Sequence, residues 1–315
     1  MLRTTVLSLV LTVALTTGAL ASDVGLIIST RGDVKVYHPK KDKWSKASVM
    51  LGVADGGKVQ VGPQSEAVVT LFQSGGRFLL PGGSIAVLSP GGCRTLSGPP
   101  ARPLAALQVR HAQLLQGSRV ASGRSAGIVV RSGFDAIELH SLSTTATLDT
   151  RPVFKWRAVE GAPSYKIRLW NENDEQIWQS EVTTPGVTYP ADAPELKPNV
   201  EYLWMVTTAV NDTRFKAEGV FRILPADQRE AVTKELSALQ ATEHGMDDDA
   251  TTGVLRAEIY SRSGLWDDAI NCYEKLARSF PDAAVIHATL ANLLAEQGRA
   301  EQSRQHQKTA EQLAK

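Results

Sequence analysis

The chain has 315 residues, with 34 Lys and Arg against 33 Asp and Glu, more than one compact core usually fills, so two or three domains are expected. The near-zero charge balance argues against bulk capture of nucleic acid, while leaving room for a local patch. Two cysteines, Cys93 and Cys272, do not make a disulfide framework; they read as a linker thiol and a helix-packing thiol, with a bridge between them as the alternative in an oxidising compartment.

Residues 1–21 read as a secretory signal. Arg3 precedes an apolar stretch from Val6 to Leu15, and Gly18, Ala19, Leu20 and Ala21 supply the small residues for cleavage after Ala21. An uncleaved anchor is the alternative. The stretch falls short of the roughly 20 apolar residues of a spanning helix, and no later stretch approaches that length. Ser22 and Asp23 follow the site, so no lipidated Cys is expected. A soluble periplasmic chain without a transmembrane segment follows as the expectation.

Residues 22–89 fall into short β-branched runs punctuated by glycine. Strands are predicted at Asp33 to Tyr37, Lys58 to Val61, Ala67 to Phe72, Arg77 to Leu80 and Ile85 to Leu88, with Gly56-Gly57, Gly75-Gly76 and Gly82-Gly83 as turns. Gly32, Val34 and Val36, then Trp44 and Ala47, then Gly62, Ser65 and Ala67 followed by Pro81 give a layout that resembles the periplasmic FecR-type domain. The departures from it are Gly56-Gly57 and Gly75-Gly76, where that family often has Gly-Asp and Asp-Gly.

Residues 90–127 read as a linker: Gly91-Gly92, Gly98 and Pro99-Pro100 precede a short helix candidate from Leu104 to Leu115. Between Glu66 and Asp135 no acidic residue occurs, while arginines accumulate. Arg102, Arg110, Arg119 and Arg124 are the candidates for docking anionic envelope polymer; a merely solvated linker is the competing reading.

Residues 128–225 alternate with period two, at Phe154 and Trp156, at Tyr165, Ile167 and Leu169, and at Tyr202, Trp204 and Val206, which predicts strands with one buried face. Leu196, Pro198 and Tyr202 have the spacing of a tyrosine corner. With Trp156 on an early strand, the segment resembles a fibronectin type III sandwich. The resemblance implies that Trp156, Tyr202 and Trp204 are core; Trp170 and Trp178 are the candidates for exposed aromatics.

After Pro225 the period becomes about 3.6. Asp227 caps a helix carrying Val232, Leu236 and Leu239, with Gly245 as its stop, and Asp247-Asp248-Asp249 caps the next helix without the ligand spacing of a calcium loop. Ala257 and Ala291 stand one repeat apart, as do Gly264 and Gly298. Ala257, Tyr260, Gly264, Ala269, Tyr273 and Pro281 resemble a tetratricopeptide repeat. In the second unit Leu290, Ala291, Leu294 and Gly298 keep the first helix, whereas Ser303 and Gln307 make the last helix a polar cap.

The fold expected is therefore multidomain: an all-β FecR-like module, a fibronectin III-like β-sandwich at 128–225 and all-α tetratricopeptide hairpins at 226–315. No nucleophile elbow, zinc-protease helix, phosphate loop, dinucleotide fingerprint or paired-cysteine spacing occurs, and the six histidines are scattered singly. Binding is expected, without enzyme activity, cofactor or metal.

The FecR-type resemblance implies sigma-factor regulation through a membrane helix and a cytoplasmic segment, neither of which is legible here. The reading is thus an exported envelope adaptor or scaffold. Its partner is a periplasmic or envelope protein of unassigned identity; the alternative is a protein that binds peptidoglycan or polysaccharide. The tetratricopeptide register places Glu258, Arg262, Asn292 and Glu296 in one acidic groove suited to a Lys- or Arg-bearing segment, with a dimerisation surface as the competing reading.

Overall fold

Period-two burial organises the first module in a computed structural model of the chain that describes residues 23–104, 106–107, 135–241 and 250–314. The expected leader, most of the short helix, Gly245 and the Asp247 to Asp249 triplet lie outside the described residues. Ten strands form two five-stranded sheets: β1 (Asp23–Arg31), β2 (Val34–His38), β3 (Lys43–Lys46), β4 (Gly52–Ala54), β5 (Lys58–Val61), β6 (Glu66–Leu71), β7 (Arg77–Leu80), β8 (Ile85–Ser89), β9 (Gly92–Ser97) and β10 (Arg102–Leu104). One sheet runs β10-β7-β6-β1-β4 and the other β3-β2-β5-β8-β9. Val34, Val36, Val59, Val61, Ala86 and Leu88 from the second sheet pack with Ile27, Ala67, Val69, Leu71 and Leu80 from the first. Each Val, Ile or Leu among them removed from water contributes roughly 1.5–3 kcal/mol, which outweighs the weak strand propensity of the intervening glycines.

The predicted linker is corrected over 92–104, where the chain forms β9 and β10. Leu88 pairs with Cys93 across a tight turn, and Arg102 to Leu104 pairs with Arg77 to Leu79 at the edge of the other sheet. The chain passes from sheet to sheet at Gly98, whose φ is +81° and where a side chain would stand 2.2 Å from the Gly83 carbonyl oxygen. Glycine and proline here mark a crossing between strands, and Leu104, expected to open a helix, closes β10.

The second module comprises β11 (Asp135–Ala136), β12 (Thr144–Thr147), β13 (Val153–Lys155), β14 (Tyr165–Trp170), β15 (Gln176–Val182), β16 (Gly186–Thr188), β17 (Glu201–Val210) and β18 (Thr213–Ile223). Its main sheet runs β11-β18-β17-β14-β15, with β12 also pairing in parallel with β18, and β13 pairs with β16. Phe154, Trp156, Tyr202, Trp204 and Phe221 form its core. Trp156 lies just past the end of β13 and bridges to Leu139. The Tyr202 hydroxyl accepts a 2.7 Å hydrogen bond from the Lys197 amide, the upstream contact its spacing anticipates.

Trp178 is corrected as an exposed aromatic. It packs 5.7 Å from Phe154 and 5.3 Å from Tyr189, ring centre to ring centre, because β15 lays it over the main core, and Trp170 is only partly exposed.

Five helices close the chain: α1 (Ala226–Ala241), α2 (Ala250–Arg262), α3 (Trp266–Ser279), α4 (Ala284–Glu296) and α5 (Ala300–Leu313). The chain is thus mixed, β-rich first and helical at its C-terminal end. Gly264 and Gly298 take φ of +72° and +75° at the turns of two hairpins, α2 with α3 and α4 with α5. Ala257, Ala269 and Ala291 are buried where the helices cross, and α5 buries only Ala310.

Leu26, Ile28 and Phe72, on the outer side of the first sheet, join Val254, Leu255 and Ile259 of α2 in one hydrophobic cluster. The N-terminal module therefore presents one sheet to the helices and the other to solvent.

Candidate functional site

Helical periodicity brings Glu258 and Arg262 to one face of α2, and Asn292 and Glu296 to one face of α4, each pair four residues apart. The hairpin stacking sets these faces side by side. All four residues line one cavity of about 310 Å³, together with Ser261, Trp266, Tyr273, Thr289 and Leu293.

The floor of the cavity is set by Tyr273, which is 2% exposed and donates a 3.1 Å hydrogen bond from its hydroxyl to Glu258 Oε1. Burial pushes the Glu258 carboxyl above its ordinary range, opposed by the Tyr273 hydrogen bond and by the charge of Arg262. Burial, then the Glu258 charge, raises the Tyr273 phenol well above its usual value. Arg262 bonds Glu235 of α1 at 2.9 Å, so its charge is largely met there and it also fastens α1 to α2. The side chains of Asn292 and Glu296 make no hydrogen bond or ion pair with another described residue. The groove thus offers an amide with free donors and acceptors, an uncompensated carboxylate and two aromatic rings.

Trp266 escaped the sequence reading, since its membership of the groove depends on the Gly264 turn that swings the first residue of α3 toward α4. The aromatic after a repeat turn was the available signal. Of the second predicted set, Arg102 is exposed on the edge strand β10, and Arg110, Arg119 and Arg124 lie outside the described residues.

The second β module and the helices interlock. The Ala146 amide donates to the Gly264 carbonyl at 2.8 Å, the Trp266 amide to Thr145 Oγ1 at 3.0 Å and the Leu142 amide to Asp267 Oδ2 at 2.8 Å. Arg157 pairs with Glu301. Cys93 and Cys272 are free thiols, each raised to about 11 by burial, which keeps them protonated and unreactive at neutral pH. Among the described residues, no helix is long and apolar enough to cross a membrane, and no three His, Cys, Asp or Glu side chains are grouped to hold a metal ion.

No curated protein matches the chain. Among solved structures it is similar to the chicken CNTN1 FN1–FN3 domains at 13% identity and a TM-score of 0.20, over 64% of this chain and 55% of that one, about half its length. A multi-domain immunophilin from Arabidopsis thaliana matches at 11% identity and 0.17, over 58% of this chain and 100% of that one. A β-1,2-glucanase from Parabacteroides distasonis matches at 8% and 0.20, over 93% and 49%. Scores of this size carry no argument about fold or activity.

Residues 136–307 match the family described as Domain of Unknown Function (DUF928), a span that takes in both the second β module and the hairpins. That span agrees with the interlock across Leu142, Thr145 and Ala146, which makes the two modules one structural unit. The chain belongs to the DUF928 family.

Proposed function

We propose that this protein is an exported, non-enzymatic adaptor of the cell envelope that holds an extended, cationic segment of a protein partner in the groove between α2 and α4. The observation that carries this reading is the convergence of Glu258, Arg262, Asn292 and Glu296 on one cavity. Asn292 can bond a peptide backbone through both donor and acceptor, whereas Glu258 and Glu296 outweigh an Arg262 already engaged by Glu235. A Lys or Arg side chain entering beside Tyr273 and Trp266 meets both carboxylate and ring faces, an arrangement favourable to cations. The FecR-like, fibronectin III-like and tetratricopeptide resemblances belong to this reading: two β modules carry and orient a short helical array, and the leader exports it to the periplasm.

The test is a peptide array probed with the full chain and with Asn292→Ala/Glu296→Lys. Retention of Lys- and Arg-bearing peptides that falls at least ten-fold in the variant, with unchanged mass in sedimentation, supports the groove. Equal retention by both proteins contradicts it, as does a variant that changes oligomeric state and keeps its peptides.

A further inference from the structure

The sheet β3-β2-β5-β8-β9 buries one face and leaves the other uncovered, because the first sheet alone lies against the helices. The register shows what the uncovered face carries. Tyr37 stands opposite Trp44 on one side and Lys58 on the other; Lys58 stands opposite Val87, and Val87 opposite Arg94. These residues form one row across five strands. In the next row Lys35 stands opposite Lys46. Alternate positions point inward: Val34, Val36 and Val59 are all core.

The rings are arranged for contact. Trp44 is 38% exposed, on an edge strand where its burial gains little for the fold. Its ring centre lies 5.4 Å from that of Tyr37, tilted by 50°, and Lys58 Nζ lies 5.1 Å over the Tyr37 ring. Two solvent-facing aromatics beside Lys35, Lys46, Lys58 and Arg94 form an amphipathic, cationic surface, which a monomeric fold has no internal reason to keep.

We propose that this face binds an acidic polysaccharide, sugar faces stacking on Trp44 and Tyr37 and carboxylates meeting the four cations. Two carboxylates within the patch favour a glycan over a nucleic acid. Asp42 accepts the Tyr37 hydroxyl at 2.6 Å, and Asp33 lies 3.8 Å from Lys35. They can accept from sugar hydroxyls and would repel a strand carrying one phosphate per unit. Neighbouring strands lie about 4.8 Å apart, so the cations are spread along a track suited to a repeating polyanion. This surface stands apart from the helical groove, and neither reading depends on the other.

The test uses the full chain with polygalacturonate, neutral dextran and oligothymidylate as probes at low and high salt. Expected are binding to polygalacturonate that weakens several-fold as salt screens the cations, no binding to dextran, and at least a ten-fold loss in Trp44→Ala and in Lys35→Glu/Lys46→Glu. Lys35, Lys46 and the nearby Asp33 are all exposed, so the reversal leaves the core untouched and the circular dichroism of this variant stays that of the parent. Lys166→Gln, exposed on β14 of the second β module, leaves binding unchanged. Failure to bind polygalacturonate overturns the proposal, as does binding that survives the Trp44 and Lys35/Lys46 variants or tighter binding of oligothymidylate.

Discussion

The Leu142 amide donates a 2.8 Å hydrogen bond to the carboxylate of Asp267, tying the second β module to the first turn of α3. Asp267 sits where α3 begins, so the helix dipole and the Leu142 amide favour its charge, while burial opposes it and wins. Burial is the largest influence and raises the carboxyl to about 6.

Asp267 makes stability depend on pH with a definite sign. Its folded value lies above its ordinary 3.8, so between about 4 and 6 the folded protein holds the proton more tightly than the unfolded chain. Stability therefore falls as pH rises through that window and levels off above it, by at most about 3 kcal/mol. Asp267→Asn keeps an acceptor for the Leu142 amide and reduces the slope, leaving the part due to Glu258 and Asp268, which burial also raises. Urea midpoints followed by helical circular dichroism from pH 3.5 to 7.5 read this out; an equal slope in parent and variant would sink it.

His306, stacked against His287, imposes the opposite sign nearby. Their Nδ1 atoms are 2.9 Å apart, and His287 Nε2 lies 3.1 Å from the Pro281 carbonyl oxygen. The carbonyl requires a proton on His287 Nε2, so His306 Nδ1 donates to His287 and the pair accommodates a single bridging proton. Burial first, then the His287 and Arg299 charges, hold His306 below 6.5, with Glu274 opposing. Stability is full above about 6.5 and is lost as pH falls below it. Protection factors of the α5 amides, taken against the intrinsic exchange rate at each pH, should fall between pH 7 and 5 in the parent and much less in His306→Phe.

Tyr202→Phe deletes the acceptor of the Lys197 amide inside a core where Tyr202 stacks 5.5 Å from Phe221. The ring remains, so the cost is the hydrogen bond, about 1 kcal/mol. Urea melts of the full chain followed by tryptophan fluorescence should show the lower midpoint, and peptide retention by the groove should not change.

Gly219→Ala should be far more damaging. A Cβ there would stand 2.3 Å from the Leu142 carbonyl oxygen and 2.4 Å from Trp204 Nε1, the two partners of a buried 2.8 Å hydrogen bond. Relief requires moving backbone at the junction with α3, a cost of about 2 kcal/mol or more. A fall in the melting temperature of both the second β module and the helices is expected; a loss confined to one of them would contradict the interlock.

Legibility in the sequence tracked how local each feature is. The small residues Ala257 and Ala291 and the turn glycines Gly264 and Gly298 recur at a fixed interval, which makes the hairpins legible, and the tetratricopeptide resemblance laid on that interval named Glu258, Arg262, Asn292 and Glu296, which do line one cavity. Tyr202 was equally readable, because a corner hydrogen bond spans only five positions. The junction was not: Leu142 and Asp267 are 125 positions apart, and nothing near either residue announces the other.

Strand pairing was legible in part. β9 and β10 were hidden by Gly91, Gly98 and Pro99, residues that mark loops as readily as sheet crossings. Trp44 was visible as a residue, whereas its place in a solvent-facing row with Tyr37 and Lys58 depends on which face of the sheet a second sheet covers. That is decided by pairings far apart in the chain, and the same nonlocality moves Trp178 from the predicted surface to a partly buried place against the core.

The central claim, that the α2/α4 groove selects cationic segments by its carboxylates, is tested most directly by a charge exchange at Glu296. Dissociation constants are measured for two peptides differing only in a central Lys or Glu, against the full-length parent and Glu296→Lys. The account predicts that the parent prefers the Lys peptide by at least ten-fold and that Glu296→Lys reverses the preference, with sedimentation unchanged. A preference that is absent in the parent, or that persists unaltered in Glu296→Lys, would contradict it.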